Sequence, residues 1–358
     1  MKSIYPAIAG RLDKEGPFAL ATLVETGGST PQVPGASALF SERGLILGTL
    51  GGGLLEAEAE RRARAALETG LSAVFRFDLR GDGLEDEEPV CGGEAVILVD
   101  ASPVSHLGAF LELRDSLRSR RSGVLLTRVR PGPSGEVEVR RSWVEEGGGA
   151  VPDTGLSCRV EDLETARSEN RPVVSRPAAG TPADGGFDFL EPLEPLPRLL
   201  IAGAGHIGQA LSRLAGPLGF EVTVIDDRAE FAGAARFPDA DRIIVDKPGR
   251  ALRSLTAGRD TYIVIVTRGH RDDADALRAC VRSEAAYIGM IGSRSKVSLV
   301  REKFLGEGWA SPVEFDRVHT PIGLPIGSRT VEEIAVSIAA ELVQVRSRLQ
   351  ENLRRGER

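Results

Sequence analysis

The stretch Leu199–Leu211, LLIAGAGHIGQAL, constrains the fold more than any other segment of the chain. An apolar run that reads as a buried strand leads into a glycine turn and then into a helix start. Gly203, Gly205 and Gly208 give the spacing G-x-G-x-x-G, and eighteen residues after Gly208 an apolar run closes on Asp226. Each part has a mechanical reason. The first glycine permits the tight turn, the second lets a phosphate approach bare backbone, and the third lets the helix pack closely on the strand. The helix N-terminus then presents free N–H groups and a partial positive charge to an anion. Asp226 is placed to hold ribose hydroxyls, as in an NAD site. Arg228, two residues on, is placed to meet a phosphate instead. The same pattern also suits a Rossmann-like sheet that binds no NAD, because a fold does not fix a function.

From about Pro195 the chain alternates strand and helix patterns. Strands are expected at 198–202, 221–226, 242–245, 261–267 and 286–291, with helices between them. Such alternation predicts a parallel sheet with helices on both faces. A last helix is expected from Val331 to about Leu349. Thr330 and Glu333 form its capping box, and Ile334, Ile338, Leu342 and Val345 form its apolar stripe.

The first half reads as α+β. Phe18–Glu25 alternates as a strand, and Ser37–Leu50 reads as a hairpin turning at Glu42-Arg43-Gly44. Leu54–Glu68 is a helix that stops at Gly70. A strand at 94–100, a helix at 106–120 and a second hairpin (123–130 with 135–143) follow. Beyond Gly147 the texture turns to Pro, Gly, Ala and Ser, and no motif is legible from there to Gly186. The fold class expected is therefore α/β: a C-terminal Rossmann-like parallel sheet behind an N-terminal α+β domain. The boundaries expected are 1–184 and 195–358, joined by a loop or linker at about 171–194.

A length of 358 residues suits two domains, and the net charge of −7 argues against nucleic acid as the main partner. The acidic run at 82–88, DGLEDEE, reads as a solvated loop or as a docking site for a basic partner. The three cysteines, Cys91, Cys158 and Cys280, make no disulfide framework and fit a reducing compartment. The N-terminus carries too short an apolar run for a signal peptide, and no segment approaches the roughly 20 apolar residues that span a bilayer. A cytoplasmic protein is expected, without a membrane partner, and as a homodimer.

Three of the four histidines lie in the second half: His206 in the glycine turn, His270 in TRGHRDD and His319 in RVHTPIGLPIG. Ligands of open parallel sheets bind outside the carboxyl ends of the strands. The imidazoles are thus expected around one crevice with Arg268, Asp272 and Arg294, lining it for an anion or holding a metal. In the first half, Gly51-Gly52-Gly53 precedes a helix and reads as an anion nest or as a tight structural turn. Ser29 and Thr30 can add hydroxyl donors, and Glu56 either caps that helix or faces the ligand. Cys91, before Gly92 and Gly93, is either a small buried residue or a thiolate in contact with a soft metal or a sulfur carrier. The chain has no Walker A lysine motif, G-x-S-x-G, C-x-x-C or H-E-x-x-H.

The two halves together resemble the XdhC/CoxI family of xanthine dehydrogenase accessory factors. The residues that carry the resemblance are GGSTPQVPGA, GTLGGGLLEAE and CGG in the first half. In the second they are LLIAGAGHIGQAL, VTVIDDR, RFPDAD, VTRGHRDD, YIGMIGSRSK, TPIGLPIG and EEIAVSIAAEL. Two positions depart from the family pattern: Gln32 stands where arginine is frequent, and Val331 where proline often opens the last helix. The resemblance implies a non-catalytic chaperone that binds molybdenum cofactor, supports its sulfuration by a cysteine desulfurase and inserts it into an apo-hydroxylase of xanthine dehydrogenase type. The residues implied to hold the cofactor are Ser29, Thr30, Gly51, Gly52, Gly53, Glu56, Cys91, Gly203, Gly205, His206, Gly208, Asp226, Arg228, His270 and Arg294, with Cys91 facing the molybdenum. The competing readings are an NAD(P)-dependent oxidoreductase, with His270 or His206 as acid–base, and a metal-dependent enzyme built on the histidines.

Overall fold

Strand–helix alternation past residue 195 and hairpin patterning before it produce two different architectures in the computed structural model. It describes residues 4–11, 16–79, 93–133, 135–147, 159–177 and 185–354. The chain divides into two compact units, one of residues 3–195 and one of residues 196–358 with the first two residues. Cys91, Cys158 and the acidic run at 82–88 lie outside the described residues.

The N-terminal unit opens with α1 (Tyr5–Arg11), β1 (Phe18–Gly27), β2 (Ser37–Ser41), β3 (Gly44–Gly48), α2 (Gly53–Thr69), β4 (Ala73–Asp78) and β5 (Glu94–Asp100). It continues through α3 (Leu107–Arg118), β6 (Gly123–Pro131), β7 (Val137–Glu145), α4 (Val160–Glu169), β8 (Val173–Ser175) and β9 (Phe187–Leu193). The strands form two antiparallel sheets, ordered β3-β2-β1-β5-β4 and β7-β6-β9-β8. Val24 and Leu98 of the first sheet pack against Val129, Val139 and Phe189 of the second. On its other face the first sheet is covered by α2, through Leu55, Ala59, Ala63 and Ala66. Gly70 ends α2 in the left-handed conformation, φ 71°, and donates to Ala66 O.

The segment expected as a linker is largely part of this unit. Within the expected 171–194, β8 and β9 are strands, and β9 is the inner partner of β6. Charges hid the strand. Asp188 and Glu191 break its apolar alternation, yet both are buried because distant partners receive them: Arg128 and Arg130 hold Asp188, and the Tyr5 hydroxyl donates to Glu191 Oε1 at 2.7 Å.

The C-terminal unit is a doubly wound α/β fold. Its elements are β10 (Arg198–Ala202), α5 (His206–Ala215), β11 (Glu221–Asp226), β12 (Arg242–Val245), α6 (Pro248–Ser254), β13 (Thr261–Ile265), α7 (His270–Cys280) and β14 (Tyr287–Met290). They are followed by α8 (Arg294–Gly306), α9 (Pro312–Asp316), β15 (Val318–His319) and α10 (Val331–Arg354). The six strands run parallel in the order β12-β11-β10-β13-β14-β15, so the order reverses between β10 and β13. One face buries Leu277, Cys280, Val300 and Phe304 of α7 and α8. The other buries Leu211 and Ala215 of α5 against Ala335, Ile338 and Leu342 of α10. α10 extends about a turn past the expected end, and its capping box is present: Thr330 N donates to Glu333 Oε2 at 3.0 Å, and Glu333 N to Thr330 Oγ1 at 3.2 Å. No helix among the described residues is long and apolar enough to cross a membrane.

Candidate functional site

In the C-terminal unit the parallel sheet brings its loops to one edge. The turn after β10, Asp226–Arg228 after β11, Thr267–His270 after β13 and Ile291–Arg294 after β14 all leave the carboxyl ends of their strands. The glycines divide their tasks as the spacing predicts. Gly203 has φ +125°, and a Cβ there would meet Val266 O at 2.3 Å. A Cβ on Gly208 would lie 2.0 Å from Gly203 O. Gly205 differs. Its φ of −71° suits any residue, a Cβ would meet nothing within 4 Å, and no side chain caps α5 behind it. The open backbone at Gly205 is the face that an anion can reach.

The acid of the fingerprint is engaged by the chain itself. Asp226 Oδ1 accepts from Arg228 N at 3.0 Å and Arg228 Nε at 2.9 Å. Its Oδ2 accepts from Arg228 Nη2 at 2.9 Å and from Ala204 N at 2.8 Å. Burial raises the Asp226 carboxyl pKa, but the Arg228 and backbone hydrogen bonds outweigh it and hold the group below its ordinary value. Asp226 therefore pins the glycine turn to β11 and neutralises Arg228, whose guanidinium lies 3.8 Å from the Phe231 ring centroid. On the flanking loops, Arg268 Nη2 reaches Asp227 Oδ2 at 3.0 Å, so an ion pair joins the loops on either side of β10.

His206 and His270 are exposed at the first positions of α5 and α7, and Arg294 is exposed at the first position of α8. His319 is directed elsewhere. Its Nδ1 lies 3.1 Å from Glu341 Oε1, and its ring lies 4.5 Å from that of Tyr287. Of the two alternatives for the histidines, the metal site finds no support: among the described residues no cluster of three or more His, Cys, Asp or Glu could hold a metal ion. The reason is local, since two of the rings open separate helices and the third pairs with a carboxylate of α10.

In the N-terminal unit the glycine motifs meet at one corner. A Cβ on Gly51 would lie 2.7 Å from Pro31 Cγ, and one on Gly93 would lie 2.4 Å from Ser29 O. The loop 27–36 is thus packed against both the turn 48–53 and Gly93, the residue two after Cys91. The nest itself is largely filled by the chain. Glu56 Oε2 accepts from Thr49 Oγ1 at 2.6 Å, Leu50 N at 2.9 Å and Gly52 N at 3.4 Å, while Gly51 N donates to Thr49 Oγ1 at 3.0 Å. Partial burial raises the Glu56 pKa, and these hydrogen bonds overcome it to leave the carboxyl lowered. Glu56 thus ties the turn 49–52 to the start of its helix with Oε2. The amides of Gly51 and Gly52 are engaged internally, and Thr30 Oγ1 donates to Gln32 O at 2.8 Å. Ser29 and Gly53 remain exposed.

Two polar networks escaped the sequence reading. Lys296 Nζ sits 2.5 Å from Asp273 Oδ2 and 3.1 Å from Ile291 O, while Asp273 Oδ1 accepts from Thr267 Oγ1 at 2.6 Å. Glu341 binds His319 with one oxygen and takes the Tyr287 hydroxyl and Gly323 N with the other. Burial raises the Glu341 pKa, and bonds from His319, Tyr287 and Gly323 lower it further than burial raises it. The motif YIGMIGSRSK contained Lys296, but its partners lie on other segments.

Comparison with known proteins adds the following. The XdhC Rossmann domain model matches residues 199–342, and the XdhC and CoxI family model matches residues 12–78. A protein of Bacillus subtilis (strain 168) named as a probable xanthine dehydrogenase subunit is 28% identical over 98% of this chain and 99% of its own length. The molybdenum cofactor insertion chaperone PaoD of Escherichia coli (strain K12) is 23% identical over 93% of this chain and 85% of its own. A crystal structure described as that of a xanthine dehydrogenase from Bacillus halodurans superposes with a TM-score of 0.74 at 26% identity, covering 96% of both chains. Family models on both units, and relatives that run the length of the chain, establish that it belongs to the XdhC and CoxI family.

Proposed function

We propose that the protein is a maturation factor that carries molybdenum cofactor as cargo, supports its sulfuration by a cysteine desulfurase and inserts it into an apo-hydroxylase of xanthine dehydrogenase type. The observation that carries this reading is similarity to a molybdenum cofactor insertion chaperone over 93% of the chain. The site chemistry is compatible. The cargo is an anionic pterin phosphate, and the open Gly205 backbone at the start of α5, with His206, His270 and Arg294 on the same sheet edge, suits an anion without a covalent bond. Asp226 opposes such a ligand little, because Arg228 neutralises it. A carrier has to release what it holds, and hydrogen bonds to backbone and exposed cations are reversible. Cys91, two residues before the packed Gly93, is the thiol assigned to the molybdenum.

The test is to purify the protein from cells that make the cofactor and to assay bound pterin and molybdenum. Both are expected in comparable amounts, together with activation of an apo-hydroxylase. Neither bound, with no activation, overturns the proposal and favours the NAD(P)-dependent oxidoreductase, which substrate-dependent NADH or NADPH formation would then reveal. Cys91→Ala is expected to keep pterin and lose molybdenum; full molybdenum loading would remove Cys91 from that role.

A further inference from the structure

α7 and α8 cover the same face of the parallel sheet but leave a groove between them of about 630 Å³. Its lining is unusual for a chain whose net charge is −7. Five basic side chains, His270, Arg271, Arg278, Lys296 and Lys303, border it. Lys296 is held by Asp273. Among the described residues Arg271, Arg278 and Lys303 have no carboxylate partner. Asp275, the acid of the lining, is already paired with Arg253 at 3.4 Å. Local positive charge on an acidic protein is therefore concentrated where the protein's own acids do not answer it.

The floor is apolar. Val300 and Phe304 are buried beneath it, and Leu299 stands 68% exposed on α8. Trp309 closes one end, with the Arg278 guanidinium 4.3 Å and the Lys303 ammonium 5.2 Å from its ring centroid. These contacts hold the two cations at the rim. An exposed leucine beside a basic rim, flanked by helices of 11 and 13 residues, has the form that receives the apolar stripe of a third helix.

We infer that the α7–α8 groove docks an acidic, leucine-bearing helical segment of a protein partner. Charge complementarity selects the occupant: apolar contacts to Leu299 and Val300 seat it, and its carboxylates meet Arg271, Arg278 and Lys303. The inference goes beyond cargo carriage and does not depend on it.

The probe is a fluorescein-labelled helical peptide with leucines at one face and glutamates flanking them, measured by anisotropy against the full-length protein. A second peptide with glutamine for glutamate is the control. Binding of the acidic peptide is expected to weaken with salt and to drop about tenfold or more in the double variant Arg271→Glu/Lys303→Glu, as for loss of close charge pairs. Leu299→Asp, at an exposed position, should weaken it as well while leaving the thermal midpoint unchanged. Equal binding of the glutamine peptide overturns the inference. So does undiminished binding to the Arg271→Glu/Lys303→Glu protein. If the peptide binds only after the acids at 82–88 are changed to their amides, the groove belongs to the chain's own acidic run and the proposal fails. A small aromatic sulfonate that binds as tightly as the peptide would assign the groove to organic anions instead.

Discussion

Gly205 and Gly208 share a motif and differ in everything a mutation would read. At Gly208 an added methyl would lie 2.0 Å from a carbonyl oxygen, so Gly208→Ala forces the helix off the strand and is expected to cost about 1–3 kcal/mol in denaturant unfolding. At Gly205 the space is open and the backbone is extended. Gly205→Ala should leave stability within about 0.5 kcal/mol of the parent and still reduce pterin retention, because the methyl covers the amide face offered to the anion. A second residue sets a pH dependence. Burial pushes the Glu191 carboxyl up to about 7, against the opposing Tyr5 hydrogen bond and Arg141 charge. A raised pKa means that the folded state holds the proton through a window where the unfolded chain has released it. Its contribution to stability is whole below the unfolded value of about 4.5 and is lost as pH rises towards about 7. Glu191→Gln should flatten that slope in melts across pH 5–7. The lowered carboxyls of Glu56, Glu58 and Asp162 act in the opposite sense and in a lower window, losing their contribution as pH falls through their depressed values.

Among the elements, those built from local signals were legible in advance. The five strands expected in the C-terminal half are all found, with ends shifted by two residues at most. α2 carries its stop, and α10 its N-terminal cap, within a few residues of their own chain. Thr330→Ala should remove the N-cap acceptor of α10 and cost about 1 kcal/mol, read as a lower denaturant midpoint with an unchanged slope. Three of the elements that were missed depend on partners far along the chain. α1 has seven residues, too few to show a period, and Tyr5 meets its acceptor 186 residues away. β9 contains Pro192 and two charges, which argue against a strand until the sheet supplies Arg128, Arg130 and Tyr5. β15 has two residues and is shaped by Glu341 rather than by any pattern of its own.

At the scale of the whole molecule, the sequence placed motifs near one another more reliably than it assigned tasks within them. The loop 27–36 does pack against the turn 48–53 and against Gly93, and the C-terminal glycine turn does sit at the carboxyl edge of the sheet beside the reversal of strand order. Yet Asp226 and Thr30, read as ligand contacts, and Glu56, read as either cap or ligand contact, use polar atoms on the protein itself. A motif shows which residues are brought near one another. It does not show which hydrogen-bonding capacity the fold consumes, because that depends on rotamers and on neighbours such as Arg228 that serve equally well as partner or as ligand contact. Lys296 and Glu341 went unnoticed for the same reason. The carboxylate of Glu341 has one further effect. By gathering Tyr287, His319 and Gly323 it fastens the outermost, two-residue strand and the chain beyond it to α10. A border that short and that firmly tied offers almost no free ladder to a foreign β-segment, so any self-association through strand addition is denied at this margin of the sheet.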